Sequence, residues 1–260
     1  MHAEADRGRP LLEVAGLSAC PPGEPLIEDV AFAAEAAAVT AIVGPTGGGK
    51  TTLIDTLAGL VPVRQGEIRF DGISITRRSA AERSLAGLVA VPNGATLLPG
   101  RSLFHAVAAS FALARRPASA WLLSPWSAAG EKGRQEVARV LDKVELGPFA
   151  DHPVNGLPLA QSRRLRLAQA LACRPRLLLL DRPWHGLGRQ ERQSHAALLR
   201  SLCDDGLTVV LVEDDLETIV ELADHVVVLD RGRTVAAGSA SEVGNAAAVR
   251  RAFAGPESRP

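Results

Sequence analysis

Apolar residues fall in short unbroken runs separated by stretches of helical spacing, and this alternation dominates the chain. Val39–Val43, Leu88–Val91, Leu177–Asp181, Thr208–Val212 and His225–Leu229 are of strand length and nearly continuous in apolar residues. Such runs predict strands buried on both faces, as in a parallel sheet. Helical spacing occupies Lys50–Leu60, Ser102–Ala114, Glu131–Leu146, Gln161–Ala172, Glu191–Cys203 and Asp215–Ala223. Upstream, Leu11–Val14 and Leu26–Phe32 predict opening strands on either side of a Cys-Pro-Pro-Gly turn at residues 20–23. Glu67–Phe70 and Ile73–Ile75 predict a hairpin closed by Asp71-Gly72. The sum is an α/β protein with a mixed, largely parallel sheet and an N-terminal antiparallel β part.

Three successive helical segments separate the strands Leu88–Val91 and Leu177–Asp181, which predicts a helical subdomain at about 95–172 inserted between two halves of one sheet. The expected organisation is one domain over 11–254, with a disordered start at 1–10 and a short tail at 255–260. There is no internal repeat. With 260 residues, 47% of them hydrophobic, the chain can bury a sizeable core. A formal net charge of zero argues against coating nucleic acid by bulk electrostatics. Cys20, Cys173 and Cys203 are far apart, so neither a disulfide framework nor a zinc site is expected. The six histidines show no ligand spacing. Residues 1–10 lack the apolar stretch of a signal peptide, and no apolar run is long enough to span a membrane. A cytoplasmic chain is expected, with no direct membrane insertion and any membrane link made through a partner.

The strand Val39–Val43 runs into Gly44-Pro45-Thr46-Gly47-Gly48-Gly49-Lys50-Thr51-Thr52, which satisfies G-x-x-x-x-G-K-[ST] between a strand and a helix. Glycines here let consecutive backbone N–H groups turn inward as an anion nest, and the helix N-terminus adds partial positive charge. Lys50 offers a point charge to the outer phosphates of a nucleotide, and Thr51 a hydroxyl to Mg2+. Arginine supplies all but three of the 29 basic residues, so the placement of Lys50 in this loop is pointed. Downstream, Leu177–Asp181 is an apolar strand ending in a carboxylate, the Walker B arrangement, in which Asp181 would anchor the magnesium shell.

Together these motifs make the chain resemble the ATP-binding subunits of ABC transporters over about residues 11–254. The likeness extends to Gly66–Gly72, Arg163–Arg176, Gly206–Val212 and Val226–Arg233. The helical insertion and the ending around Glu242–Phe253 look most like the branched-chain amino-acid importers. The resemblance implies a P-loop NTPase core, a second ATP-binding subunit as dimer partner, and docking onto transmembrane permease subunits at the inner face of the cell membrane. Each ATP would lie between one subunit's Walker motifs and the other's signature helix. Nothing in the likeness implies a nucleic-acid partner, and there is no N-K-x-D for guanine.

The departures from that family pattern concern chemistry more than binding. The adenine-stacking aromatic reads Pro21, and the glutamine that reaches magnesium and the attacking water reads Asn93, one methylene shorter. The signature L-S-G-G-Q reads Leu157-Pro158-Leu159-Ala160-Gln161. The glutamate after the Walker B aspartate is Arg182, the next loop's aspartate is Gly188, and the switch histidine is Asp214. Guanidinium carries no acceptor and keeps its proton, so Arg182 cannot act as base. Asp214 cannot donate to a γ-phosphate. Pro158 lacks both a hydroxyl and an N–H, while Leu159 and Ala160 place side chains where glycines allow close approach.

The expected activity is therefore Mg-ATP binding with hydrolysis weak or absent. Two alternatives stand beside it: a conventional transport ATPase in which Glu213 or Asp215 substitutes, and a non-enzymatic scaffold or regulator. Arg182 and Asp214 invert an acid–base pair and either form a salt bridge across the site or point elsewhere. Trp121 and Trp126 read as core residues or as anchors for a membrane subunit, and Trp184 as a space-filler or a partner contact. Arg163, Arg164 and Arg166 are expected on a solvated face.

Overall fold

The computed structural model describes residues 10–21, 26–94, 101–114, 125–213 and 216–245. Two sheets share the core. The first is four-stranded and antiparallel, in the order β2-β1-β4-β5, built from β1 Pro10–Ala19, β2 Ile27–Glu35, β4 Gln65–Phe70 and β5 Ile73–Ser74. The second is six-stranded, β10-β9-β3-β8-β7-β6, from β3 Val39–Val43, β6 Leu88–Val91, β7 Leu177–Asp181, β8 Thr208–Val212, β9 His225–Asp230 and β10 Arg233–Ser239. Within it β9, β3, β8, β7 and β6 pair in parallel, and β10 alone runs antiparallel, against β9.

The continuous apolar runs are explained by this placement. Side chains alternate across a strand, so a strand buried on both faces needs apolar residues at every position. Val39, Ala41, Leu178, Leu180, Val209, Leu211, Val226 and Val228 face one cluster, shared with α3 Leu103–Leu113, α4 Pro125–Lys143, α5 Leu159–Leu171 and α6 Arg189–Asp204. Ile42, Leu177, Leu179, Val210, Val212, Val227 and Leu229 face the other, with α1 Lys50–Ala58 and the antiparallel sheet. The same alternation carries Asp181, two residues past Leu179, onto the α1 face. That is how a strand-end carboxylate meets the first turn of α1.

The α3–α5 segment enters after β6 and returns as β7, and those two strands are neighbours in the sheet. The insertion thus leaves the sheet unbroken. Two short helices and one strand escape the sequence pattern: α2 Ala80–Leu85, α8 Ala240–Asn245 and β10. In β10 the alternation is of half-buried and exposed residues in Arg-Thr-Val-Ala-Ala-Gly-Ser, at a sheet edge with little apolar contrast to detect. Helix α7 Leu216–Leu222 completes the set. Cys20, Cys173 and Cys203 are free thiols, and burial pushes the Cys203 thiol up to about 12.

One buried cation fixes the far end of α1. Arg83, on α2, is only 2% exposed and donates to Thr56 O and Leu57 O at 2.8 and 2.7 Å, and to Thr76 O and Arg78 O at 3.0 Å each. Thr56 and Leu57 belong to the last turn of α1, where carbonyls lack helical partners and the dipole favours a cation. Replacing Arg83 by Met removes the guanidinium donor from four carbonyls, of which Thr56 O keeps the Gly59 N–H. We expect a loss of about 3 kcal/mol, read as a lower urea midpoint at unchanged m-value.

Candidate functional site

The C-terminal ends of the parallel strands lie along one edge, the position where open α/β sheets bind ligands. The turn after β3 leads directly into α1, whose first residue is Lys50. Gly49 caps the helix at φ 94°, and Gly48 N–H closes the turn onto Pro45 O at 3.0 Å. Gly44 has φ 152°, and a Cβ there would sit 1.9 Å from Leu229 O, so only glycine allows the loop to lie against the end of β9. The β9–β10 turn seals the loop from behind: Gly232 N–H donates to Gly48 O at 2.9 Å, and Glu28 N–H donates to Gly232 O at 2.8 Å. Leu229 and Gly232 are thus part of the loop's support. Sequence reasoning placed Val226–Arg233 within the family likeness without assigning Gly232 that role.

Lys50 is 3% exposed and donates from Nζ to Gly44 O at 2.8 Å and Pro45 O at 2.9 Å. The ammonium lies over its own loop, where a phosphate group would also lie. Thr51 Oγ1 donates to Asp181 Oδ2 at 3.2 Å across 130 residues of sequence. Asp181 is 4% exposed, and its Oδ1 is buried without a hydrogen-bond partner. Burial pushes its carboxyl upward, while the Thr51 hydroxyl, the Arg182 and Lys50 charges and the Asn93 backbone amide pull it down. The influence of Asn93 on Asp181 thus comes from its main chain, and the residue itself is exposed.

A magnesium nucleotide fits these residues. The orphaned Oδ1 and the Thr51 hydroxyl are hard oxygen donors of the kind Mg2+ takes, with the remaining ligands drawn from phosphates and water. The glycines leave the loop's backbone open to close approach by an anion.

The replaced positions fall as follows. Arg182 has a left-handed backbone at φ 50°, with its N–H on Val212 O at 2.9 Å. Glu213, the suggested substitute base, is 4% exposed, and its Oε1 accepts the Trp184 N–H at 3.1 Å. Its carboxylate thus braces the loop that follows β7. Pro158 caps α5, Leu159 is 47% exposed, and Leu159 Cδ2 lies 3.1 Å from where a Gly186 Cβ would stand. Among the described residues, no hydrogen bond joins Leu157–Gln161 to the loop 44–52. Gly188 caps α6, and its N–H donates to Glu191 Oε2 at 3.1 Å. Asp214, Asp215 and Trp121 lie outside the described residues, as does the side chain of Trp126.

Two expectations are now settled. Trp184 is 1% exposed and packs in the larger core, so it fills space. Trp184→Ala should cost about 3–4 kcal/mol, measured by urea unfolding. The arginines of α5 are not a solvated face, and that expectation is corrected. Arg163, Arg164 and Arg166 are all half-buried. Arg164 donates to Val144 O at 3.2 Å and Ser194 Oγ at 2.8 Å and pairs with Glu145, while Arg163 donates to His185 O at 3.0 Å. The segment after α4, helix α6 and the loop after β7 bring acceptors to cations that sequence spacing alone left facing water.

Fold and loop together define a P-loop nucleotide-binding protein. Comparison narrows the class. The ABC transporter family model matches residues 27–185, and the chain belongs to that family. It is 30% identical over 251 residues to the high-affinity branched-chain amino acid transport ATP-binding protein BraF of Pseudomonas aeruginosa, covering 95% of this chain and 98% of that one. It is 33% identical over 238 residues to the hemin import ATP-binding protein HmuV of Streptomyces coelicolor, covering 91% and 80%. Among solved structures, the ADP conformation of MJ1267, an ATP-binding cassette of an ABC transporter, superposes with a TM-score of 0.83 at 20% identity, covering 95% of this chain and 99% of that one. At that identity the likeness is one of fold. The fold shared with that cassette, an α/β fold with an antiparallel sheet and a mixed, largely parallel sheet, is thereby established. No helix among the described residues is long and apolar enough to cross a membrane.

Proposed function

We propose that the chain is the ATP-binding subunit of an importer, of the amino-acid type, that holds Mg-ATP and hydrolyses it weakly or not at all. The observation that carries this reading is an assembled binding half beside a dismantled reactive half. Gly44–Thr52 form a supported loop, with Lys50 over it and Thr51 bonded to Asp181. Next to Asp181 stands Arg182, which has no acceptor for a water's proton.

In this reading Gly44, Pro45, Thr46, Gly47, Gly48 and Gly49 present backbone N–H groups to phosphate, Lys50 adds charge, and Thr52 anchors the helix start. Thr51, Asp181 and Asn93 hold the cation, which when bound screens charge between the outer phosphates. Bound nucleotide draws the chain against a partner ATP-binding subunit, and closure is passed to transmembrane permease subunits. The dimeric post-hydrolysis structure of the cassette MJ0796 with ADP and Pi supports a paired arrangement for the fold. The site of action is the cytoplasmic face of the membrane, reached through the permease.

Against substitution by Glu213 stands its bond to the Trp184 amide. Against a pure scaffold stands the orphaned Asp181 oxygen, which a non-binding relic would have no need to keep buried. The test is co-purification with permease and ATP-binding partners, followed by ATP binding and phosphate release with and without Lys50→Ala. Binding without turnover sustains the proposal. Lys50-dependent turnover by the isolated chain supports the conventional ATPase, and no binding at millimolar Mg-ATP supports the scaffold.

A further inference from the structure

A cleft beside the nucleotide site shares only Asp181 with the nucleotide reading. It lies where the C-terminal ends of β6 and β7 meet α5 and α6, and it holds about 440 Å3 of empty space with its open mouth included. Val91, Leu167, Leu180 and Leu199 form its walls, with Pro92 and Pro183 beside them. Against this apolar lining stand Arg163, Arg166, His195 and Asp181.

The charges do not balance. Arg163 and Arg166 are one turn apart on the same face of α5. Arg163 gives Nη2 to His185 O at 3.0 Å. Arg166 is half-buried and makes no hydrogen bond or ion pair among the described residues. Burial first, and the Arg163 charge second, push the Arg166 guanidinium below its ordinary value. Among the described residues Asp181 brings the one carboxylate of the lining, and its Oδ2 is engaged by Thr51. His195 is 5% exposed with Nδ1 bonded to Glu191 O at 3.0 Å, and burial pushes its imidazole downward, so it adds no charge near neutrality. A partly buried cation beside a like charge, without a counter-ion, is costly to keep. An anion relieves it.

The walls then select among anions. A strongly hydrated inorganic oxyanion gains nothing from six apolar residues, whereas an aliphatic body does. Guanidinium binds a carboxylate through two parallel hydrogen bonds. We propose that this cleft is a binding site for a small aliphatic carboxylate, held at its charged end by Arg166 and Arg163 and at its tail by the apolar walls. The site does not depend on the nucleotide reading. It touches α5, α6 and the ends of both β6 and β7, so a ligand there bears on the elements that flank Asp181.

The test is calorimetric titration of the full chain with isovalerate, with isovaleramide and inorganic phosphate as comparators. Isovalerate should bind saturably and raise the thermal midpoint, while the uncharged amide should bind at least tenfold more weakly. Arg166→Met should weaken isovalerate at least tenfold, Arg166→Lys should restore part of the affinity, and Lys50→Ala should leave it unchanged. Should Arg166→Met fail to fold, Val91→Phe narrows the cleft without touching charge and should also block binding. Equal binding of acid and amide, tighter binding of phosphate than isovalerate, unchanged binding by Arg166→Met or Val91→Phe, or loss of binding with Lys50→Ala would each overturn the site. Failure of ATP binding with isovalerate binding intact would reject the nucleotide reading alone.

Discussion

Lys50→Ala should weaken ATP binding by about 100-fold while the unaltered chain, saturated with Mg-ATP, shows almost no phosphate release. The first effect follows from removing one charge-assisted contact to phosphate, worth about 3 kcal/mol in a partly buried loop. Lys50 is the ammonium that already lies over Gly44 O and Pro45 O, so its loss also removes a charged donor from both carbonyls, Pro45 O keeping the Gly48 N–H. The second effect follows from Arg182. General-base assistance is typically worth about 10²–10⁴ in rate, and Glu213, the nearest described carboxylate in sequence to the lost switch residue, is held by the Trp184 amide. Fluorescent-nucleotide titration and phosphate-release assays measure the two quantities separately. Release that tracks active cassettes to within tenfold would defeat the prediction.

Gly232→Ala should be among the most damaging single substitutions, although Gly232 lies outside every phosphate-binding motif. A Cβ there would stand 1.9 Å from Leu26 O at a backbone φ of 78°. Main chain cannot yield as a flexible side chain can, so the β9–β10 turn must withdraw. Both of its hydrogen bonds, to Gly48 O and from Glu28 N–H, are then lost. We expect destabilisation above about 3 kcal/mol and weaker ATP binding together. Gly47→Ala is the control. At φ 78° with nothing within 4 Å of its Cβ, it carries only the left-handed strain of about 1–2 kcal/mol. Urea unfolding that ranks the two alike would show that the turn does not brace the loop.

The charge neighbourhood of Asp181 illustrates how far residue types alone could go. The motif fixes Thr51 and Asp181 as donors to a cation, and the structure places them 3.2 Å apart. It says nothing of the main-chain amide of Asn93, which pulls the Asp181 carboxyl downward while Asn93 itself is exposed. Likewise the α5 arginines read as solvent-facing from helix position, whereas carbonyls and hydroxyls from distant segments receive two of them.

What the chain's own pattern determined was the order of strands and helices and the place of the phosphate loop. Short runs apolar at every position, bounded by turn residues, fit strands buried on both sides, and a glycine loop between strand and helix is a local matter of backbone freedom. It also fixed that Arg182, a side chain without an acceptor, follows Asp181, whereas the expectation of a base at that position comes from the resemblance. The tertiary structure alone decided which face Asp181 joins, what closes behind Gly48, whether Trp184 fills or contacts, and that Arg166 has no counter-charge among the described residues. Those facts depend on segments far apart in sequence, and no local pattern encodes which of them will meet.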